Sequence, residues 1–186
     1  MENREIEAKF LEVDKEVLIA KLRSLGAEDL GEDFLREIIF YDKDKNWLKE
    51  GKQFIRIRET KNGALLTYKH HQHATAAGTE EIEFKIDNTQ KATDFLIALG
   101  LVRVRNNEKR RHTFKFQGAT VDIDTWPKVP TYVEIEGPSE SNIREVSEKL
   151  GFDWSKAVFD NAMRTIEKYY NIPIRTLKYF TFDRVE

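Results

Sequence analysis

Three segments of this chain join a charged, period-two strand to a helix ending in glycine, and this repeat constrains the fold most. In residues 4–12, Glu5, Glu7 and Lys9 alternate with Ile6, Ala8 and Phe10. Period two marks a strand with one charged and one apolar face. Asp14 then stands as a helix cap before Val17, Leu18, Leu22 and Leu25, and Gly26 closes the run. The pattern returns at Glu81-Ile82-Glu83-Phe84-Lys85, followed by Asn88 or Thr89 as caps and by Gly100. A fainter copy begins at Val133-Glu134-Ile135-Glu136, with Ser139 or Ser141 as caps, and ends at Leu150-Gly151. Uneven offsets argue against a solenoid and for a wrapped sheet with helices outside.

Further strands are predicted at 35–41, 53–59, 64–69, around 101–105, at 110–116 and at 120–124. Asn62-Gly63 and Gln117-Gly118 supply hairpin turns. The total of about eight or nine strands is what a small closed antiparallel barrel uses. A fourth helix is predicted over 155–171, with Pro173 marking its end, and residues 174–186 add a short strand or a covering tail. The whole of 1–186 reads as one domain, with a C-terminal helix and tail from about 155.

Charged residues share one parity on every strand: Glu5, Glu7 and Lys9; Arg56 and Arg58; Lys69; Glu81, Glu83 and Lys85; Lys109, Arg111 and Lys115; Asp122 and Asp124; Glu134 and Glu136. The opposite parity is mostly apolar. Most antiparallel sheets turn such a polar face to water. Here, however, full charges dominate, carboxylates sit in i, i+2 pairs that repel without cations between them, and Arg56 and Arg58 offer two guanidinium forks on one face. A site for a polyphosphate with metal needs both signs at close quarters. Lys and Arg take the phosphate oxygens, and Asp and Glu hold Mg2+ or Mn2+.

The ordered series resembles the CYTH superfamily, the triphosphate tunnel metalloenzymes. Glu5-Ile6-Glu7-Ala8-Lys9 is similar to its N-terminal Glu-x-Glu-x-Lys strand, and Arg56-Ile57-Arg58 to its paired-arginine strand. Lys69, Glu81 and Glu83, the run Lys109 to Phe114, Asp124 and Glu134-Ile135-Glu136 follow in order. The resemblance spans about 4 to 170. It implies an α+β fold, an eight-stranded antiparallel closed β-barrel or tunnel with helices packed outside. It also implies one or two divalent ions, and either hydrolysis of a triphosphate or cyclisation of ATP. Where the family is often glycine-rich, this chain has Trp126-Pro127-Lys128-Val129-Pro130.

On this resemblance the expected metal ligands are Glu5, Glu7, Asp124, Glu134 and Glu136. Lys9, Arg56, Arg58, Lys69, Lys85, Lys109 and Arg111 are expected to hold the triphosphate. Glu134, Glu136 and Lys9 are the candidates for catalysis, a glutamate orienting the attacking water. Glu81, Glu83 and Asp122 are left without an assigned role. Three functions stay open: a Mg2+- or Mn2+-dependent triphosphatase acting on tripolyphosphate or a small organic triphosphate, a class IV-type adenylyl cyclase, and a non-catalytic polyphosphate or nucleotide module.

The cluster His70-His71-Gln72-His73 lacks the spacing of a transition-metal site, because adjacent strand residues point to opposite faces. Basic and acidic residues, 31 and 33, nearly cancel, so charge gives no reason to expect a nucleic-acid or membrane partner. The expected partner is a small-molecule triphosphate, and a homodimer is open. Cysteine is absent, and the first residues turn directly into a strand pattern with no apolar run to cross a bilayer. A cytoplasmic protein is expected.

Overall fold

The computed structural model describes residues 4–50, 53–71 and 79–186. The histidine cluster lies partly outside them at His73. The side chain of Glu5 is likewise outside the described residues.

The N-terminal period-two segment forms two pieces, β1 (Arg4–Glu5) and β2 (Glu7–Phe10), with Ile6 between them. Helix α1 (Lys15–Ser24) leads to β3 (Glu28–Asp42), a short helix α2 (Asn46–Glu50), β4 (Gln53–Thr60), β5 (Gly63–His71) and β6 (Thr79–Ile86). Then come α3 (Thr89–Ala98), β7 (Leu101–Phe116), β8 (Ala119–Trp126), β9 (Val129–Glu136), α4 (Glu140–Lys149), α5 (Ala162–Tyr170) and β10 (Tyr179–Phe180).

The predicted strand, helix, glycine unit recurs three times. Asp14, Asn88 and Ser139 each accept from a backbone N–H three residues on, at 3.0, 2.8 and 3.2 Å, satisfying donors that the first helical turn leaves unpaired. Each helix is followed by a glycine at positive φ, Gly26, Gly100 and Gly151, a backbone position that costs glycine least.

The closed eight-stranded barrel is not what forms. Among the described residues the sheet runs as an open antiparallel path of nine strands, β1-β6-β5-β4-β3-β7-β8-β9-β2, with β10 added in parallel beside β7. β1 pairs with β6 and β2 with β9, and no ladder among these residues joins the two ends of the path. The physical reason is that side-chain parity is the same in an open and a closed sheet. Closure depends on backbone hydrogen bonds that parity does not encode. The strand count also rises because the first strand breaks at Ile6, where the backbone carbonyl instead accepts from Gly137 N at 3.0 Å.

Two strands are much longer than predicted. β3 and β7 pair along nearly their whole lengths, from Glu28 opposite Lys115 to Asp42 opposite Leu101. The Pro127-Lys128 turn is tight, with Lys128 at φ 60°. Helices α1 and α4 pack on the outer apolar face through Leu18, Leu22, Ile143 and Val146 against Val121, Val133 and Ile135. α3 covers Phe40 and Ile57 through Leu96. The predicted fourth helix begins later than expected. Val158 is drawn into a backbone bridge with Lys9, 2.9 Å each way, and α5 starts only after the cap at Asn161. No helix of the described residues is long and apolar enough to cross a membrane.

Candidate functional site

With the apolar face under the helices, the charged faces converge on one cavity of about 480 Å3. Its wall takes Glu7 and Lys9 from β2, Arg56 and Arg58 from β4, and Lys69 from β5. Glu81 and Glu83 come from β6, Lys109 and Arg111 from β7, and Glu134 and Glu136 from β9. The sequence places these side chains on one face, and the sheet brings them together. Lys85 does not join them. It lies exposed toward the end of β6.

Lys9 is at the centre, 1 % exposed, with its Nζ 2.6 Å from Glu7 Oε1 and 3.1 Å from Glu134 Oε2. Burial alone would pull its pKa down, but the two carboxylates outweigh it and hold Lys9 above the usual lysine range. Glu134 also accepts from Arg111 at 3.1 Å. Burial would raise Glu134, yet Lys9 and Arg111 hold it well below the ordinary carboxylate range, so it stays ionised.

Asp124 and Asp122 sit behind the wall. Asp124 is fully buried and does not line the cavity. Both its oxygens are engaged, by Arg111 Nε and Nη2 and by Lys109 Nζ, each at 2.7 Å. Asp122 accepts from Arg111 Nη1 at 2.6 Å and from the Thr113 hydroxyl. These aspartates hold Arg111 and Lys109 in place from the rear. Arg111 in turn spends its fork on protein carboxylates. Lys109 is pushed down to about 8 by burial and by neighbouring Arg111, with Asp124 opposing the shift.

A second cluster escaped the sequence reading. Glu37 on β3, 4 % exposed, accepts from Arg58 Nε at 2.9 Å and lies 3.6 Å from Arg56 Nη1. Asn107 contacts its other oxygen at 3.4 Å. Burial would raise Glu37, but Arg58 and Arg56 hold it below the usual carboxylate range. Arg56 also meets Thr67 and Glu83. Asn107 and Arg105 were missed because 101–105 and 110–116 were read as separate strands. As one strand, β7 carries the parity of Lys109 and Arg111 back to both. Glu37 gave no such signal, since its face on β3 continues through Ile39 and Tyr41.

Glu7 lies opposite Glu136 in the β2–β9 register, and Lys9 opposite Glu134. The like-charged cross-strand pair repels unless a cation stands nearby, and these hard oxygen donors suit Mg2+ or Mn2+. Among the described residues no three His, Asp or Glu side chains are gathered closely enough to form an ion site. Glu134 is drawn instead to Lys9 and Arg111.

The sequence profile of the CYTH domain matches residues 3–158. The chain belongs to the CYTH domain family. A Methanocaldococcus jannaschii protein named "Putative adenylate cyclase MJ0240" is 27 % identical over 146 residues, 78 % of this chain and 81 % of that one. Among solved structures, a Vibrio parahaemolyticus protein described as a "putative adenylate cyclase" superposes with a TM-score of 0.76 at 12 % identity, covering 90 % of this chain and 99 % of its own. A Hippeastrum protein, described as a "putative adenylyl cyclase" with a dominant triphosphatase activity, superposes at 0.63 and 15 % identity, covering 90 % and 96 %. At these identities the superpositions bear on the fold alone.

Proposed function

We propose that this CYTH chain binds a triphosphate together with Mg2+ or Mn2+ and hydrolyses its terminal phosphoanhydride bond. The observation that carries the reading is a single cavity wall holding Lys9, Arg56, Arg58, Lys69, Lys109 and Arg111 beside Glu7, Glu134 and Glu136. Such a wall matches an anion of high charge carrying its own cation. The Hippeastrum protein, described with a dominant triphosphatase activity, is a precedent for such chemistry on this fold.

In this reading Lys9 and Lys69 engage phosphate oxygens as point charges, and Arg56 and Arg58 as forks. Asp124 and Asp122 keep Arg111 and Lys109 from turning away. Glu7 and Glu136, opposite each other across the β2–β9 ladder, would add ligands to an ion that the triphosphate brings with it. When bound there, it would neutralise phosphate oxygens and polarise the bond to be cleaved. Glu134, ionised throughout, accepts a hydrogen bond from the attacking water and orients it. Its depressed pKa makes it a poor store for the proton, which passes to the released orthophosphate as the terminal anhydride bond breaks and the diphosphate part leaves.

A cyclase reading draws on the name of the M. jannaschii relative. It requires the ribose 3′-hydroxyl to attack the α-phosphorus in place of water. Phosphate release from tripolyphosphate, ATP and thiamine triphosphate, each with Mg2+, Mn2+ or EDTA and with products identified, separates the two. Hydrolysis expects orthophosphate that depends on metal. Cyclic AMP with pyrophosphate would replace the proposal, and binding without turnover would reduce the chain to a polyphosphate-binding module.

A further inference from the structure

Lys9 and Lys109 are both buried lysines of the cavity wall, and they are held in different ways. Lys9 is pinned between two carboxylates, Glu7 and Glu134. Lys109 makes one side-chain hydrogen bond among the described residues, to Asp124 Oδ2 at 2.7 Å. Its Nζ lies over the Trp126 ring, 5.0 Å from the centroid. An aromatic face attracts an ammonium through its quadrupole without supplying an acceptor oxygen. An ammonium has three donors, so Lys109 has donors left for a ligand oxygen while the ring and Asp124 hold its charge.

Trp126 is itself fixed in place. It ends β8, pairs with Val129 across the tight turn and lines the cavity. Its indole N–H donates to the Tyr132 hydroxyl at 2.8 Å. Its ring stacks on Phe180, with centroids 6.0 Å apart and planes 23° apart. Tyr132 and Phe180 are both fully buried. Phe180 belongs to β10, whose ladder sets it beside Asn107, two residues before Lys109 on β7. Asn106 N–H holds that strand by donating to the Lys178 carbonyl at 2.9 Å, and Glu186 N–H donates to the Tyr179 carbonyl at 3.1 Å. Phe180 lies beyond the residues that the CYTH profile matches, which end at 158.

We propose that Trp126 is a positioning residue for Lys109, and that the C-terminal strand β10 sets it through Phe180. The proposal rests on the triphosphate reading above and adds to that site a support from outside the matched domain. Trp126 touches no phosphate in this role. It keeps the Lys109 ammonium at the wall, where an aliphatic side chain would fill space and attract no cation.

The test measures tripolyphosphate binding by calorimetry in EDTA, so that no metal enters. It compares wild type, Trp126→Leu, Trp126→Phe, Phe180→Leu, Lys109→Met and the Lys109→Met, Trp126→Leu double variant, each with its melting transition. Trp126→Leu is expected to weaken binding about tenfold and Phe180→Leu about threefold. Trp126→Phe keeps a ring face and loses the bond to Tyr132, so it is expected to recover most of the affinity. In the Lys109→Met background, which retains Lys9, Arg56, Arg58 and Lys69, removing the ring is expected to change binding by about twofold at most. A tenfold loss there as well makes Trp126 a packing residue and overturns the proposal, as does wild-type affinity in Trp126→Leu. Where the leucine variants at 126 lose the native transition, Phe180→Leu decides, and wild-type affinity in it overturns the proposal. If wild type binds no tripolyphosphate, the triphosphate reading itself falls.

Discussion

Lys109 is expected to make the protein gain stability with rising pH over a range where most proteins gain none. Burial and Arg111 push its pKa from 10.5 to about 8, so above pH 8 the folded chain sheds a proton that the unfolded chain still holds. Wherever the unfolded state binds more protons, stability rises with pH. The difference of about 2.5 pKa units corresponds to about 3 kcal/mol in full. Only part of it falls between pH 8 and 10, about 2 kcal/mol, because the unfolded lysine also begins to titrate there. Above pH 10 the buried phenols of Tyr41 and Tyr132, both raised by burial, oppose the trend, so the window ends there. The assay is urea unfolding of metal-free protein at pH 8, 9 and 10, for wild type and Lys109→Met. Wild type is expected to gain about 2 kcal/mol over the series relative to the variant. A Lys109→Met profile parallel to wild type would refute the placement of Lys109 as a desolvated cation.

Asp124→Asn leaves Arg111 and Lys109 short of their shared buried counter-ion. It is expected to cost about 3–5 kcal/mol at pH 7, read as a fall in Tm of roughly 10 °C for a chain of this size. Glu37→Gln removes the charge between Arg56 and Arg58, and its loss of stability is expected to shrink when saturating tripolyphosphate supplies replacement oxygens. Differential scanning calorimetry with and without the ligand checks this, and an equal loss in both conditions contradicts it. Ser139→Ala removes the α4 cap and is expected to cost about 1 kcal/mol by urea unfolding.

Much of the site was legible because a strand sorts its side chains by parity alone. Glu7, Lys9, Arg56, Lys109 and Glu134 could be placed on one wall without knowing which strands neighbour each other. The pairing itself was not legible, and with it went the expected closure of the sheet. Arg105 and Asn107 were lost for a different reason. Val102 and Val104 alternate with Arg103 and Arg105, but Asn106, Asn107, Glu108 and Lys109 have no apolar partners alternating with them, so nothing local carries the strand through the middle of β7. Its ladder with β3 on one side and the short pairing with β10 on the other keep it extended. The roles of Asp122 and Asp124 turn on depth, which period two does not report. Their parity is that of the wall, but Arg111 stands between them and the cavity.

The break at Ile6 bears on how the chain assembles. One short segment, residues 4–10, supplies the strands at both ends of the ladder, one part docking on β6 and the next on β9. β9 lies most of the chain away, so Glu7 and Lys9 have no β-strand partner until the chain has been made through Glu136. Pairings of such sequence separation form late and slowly. The charge centre of the cavity is thus completed long after Lys9 is made, and a chain stalled before β9 would carry Lys9 without the Glu134 that holds its proton.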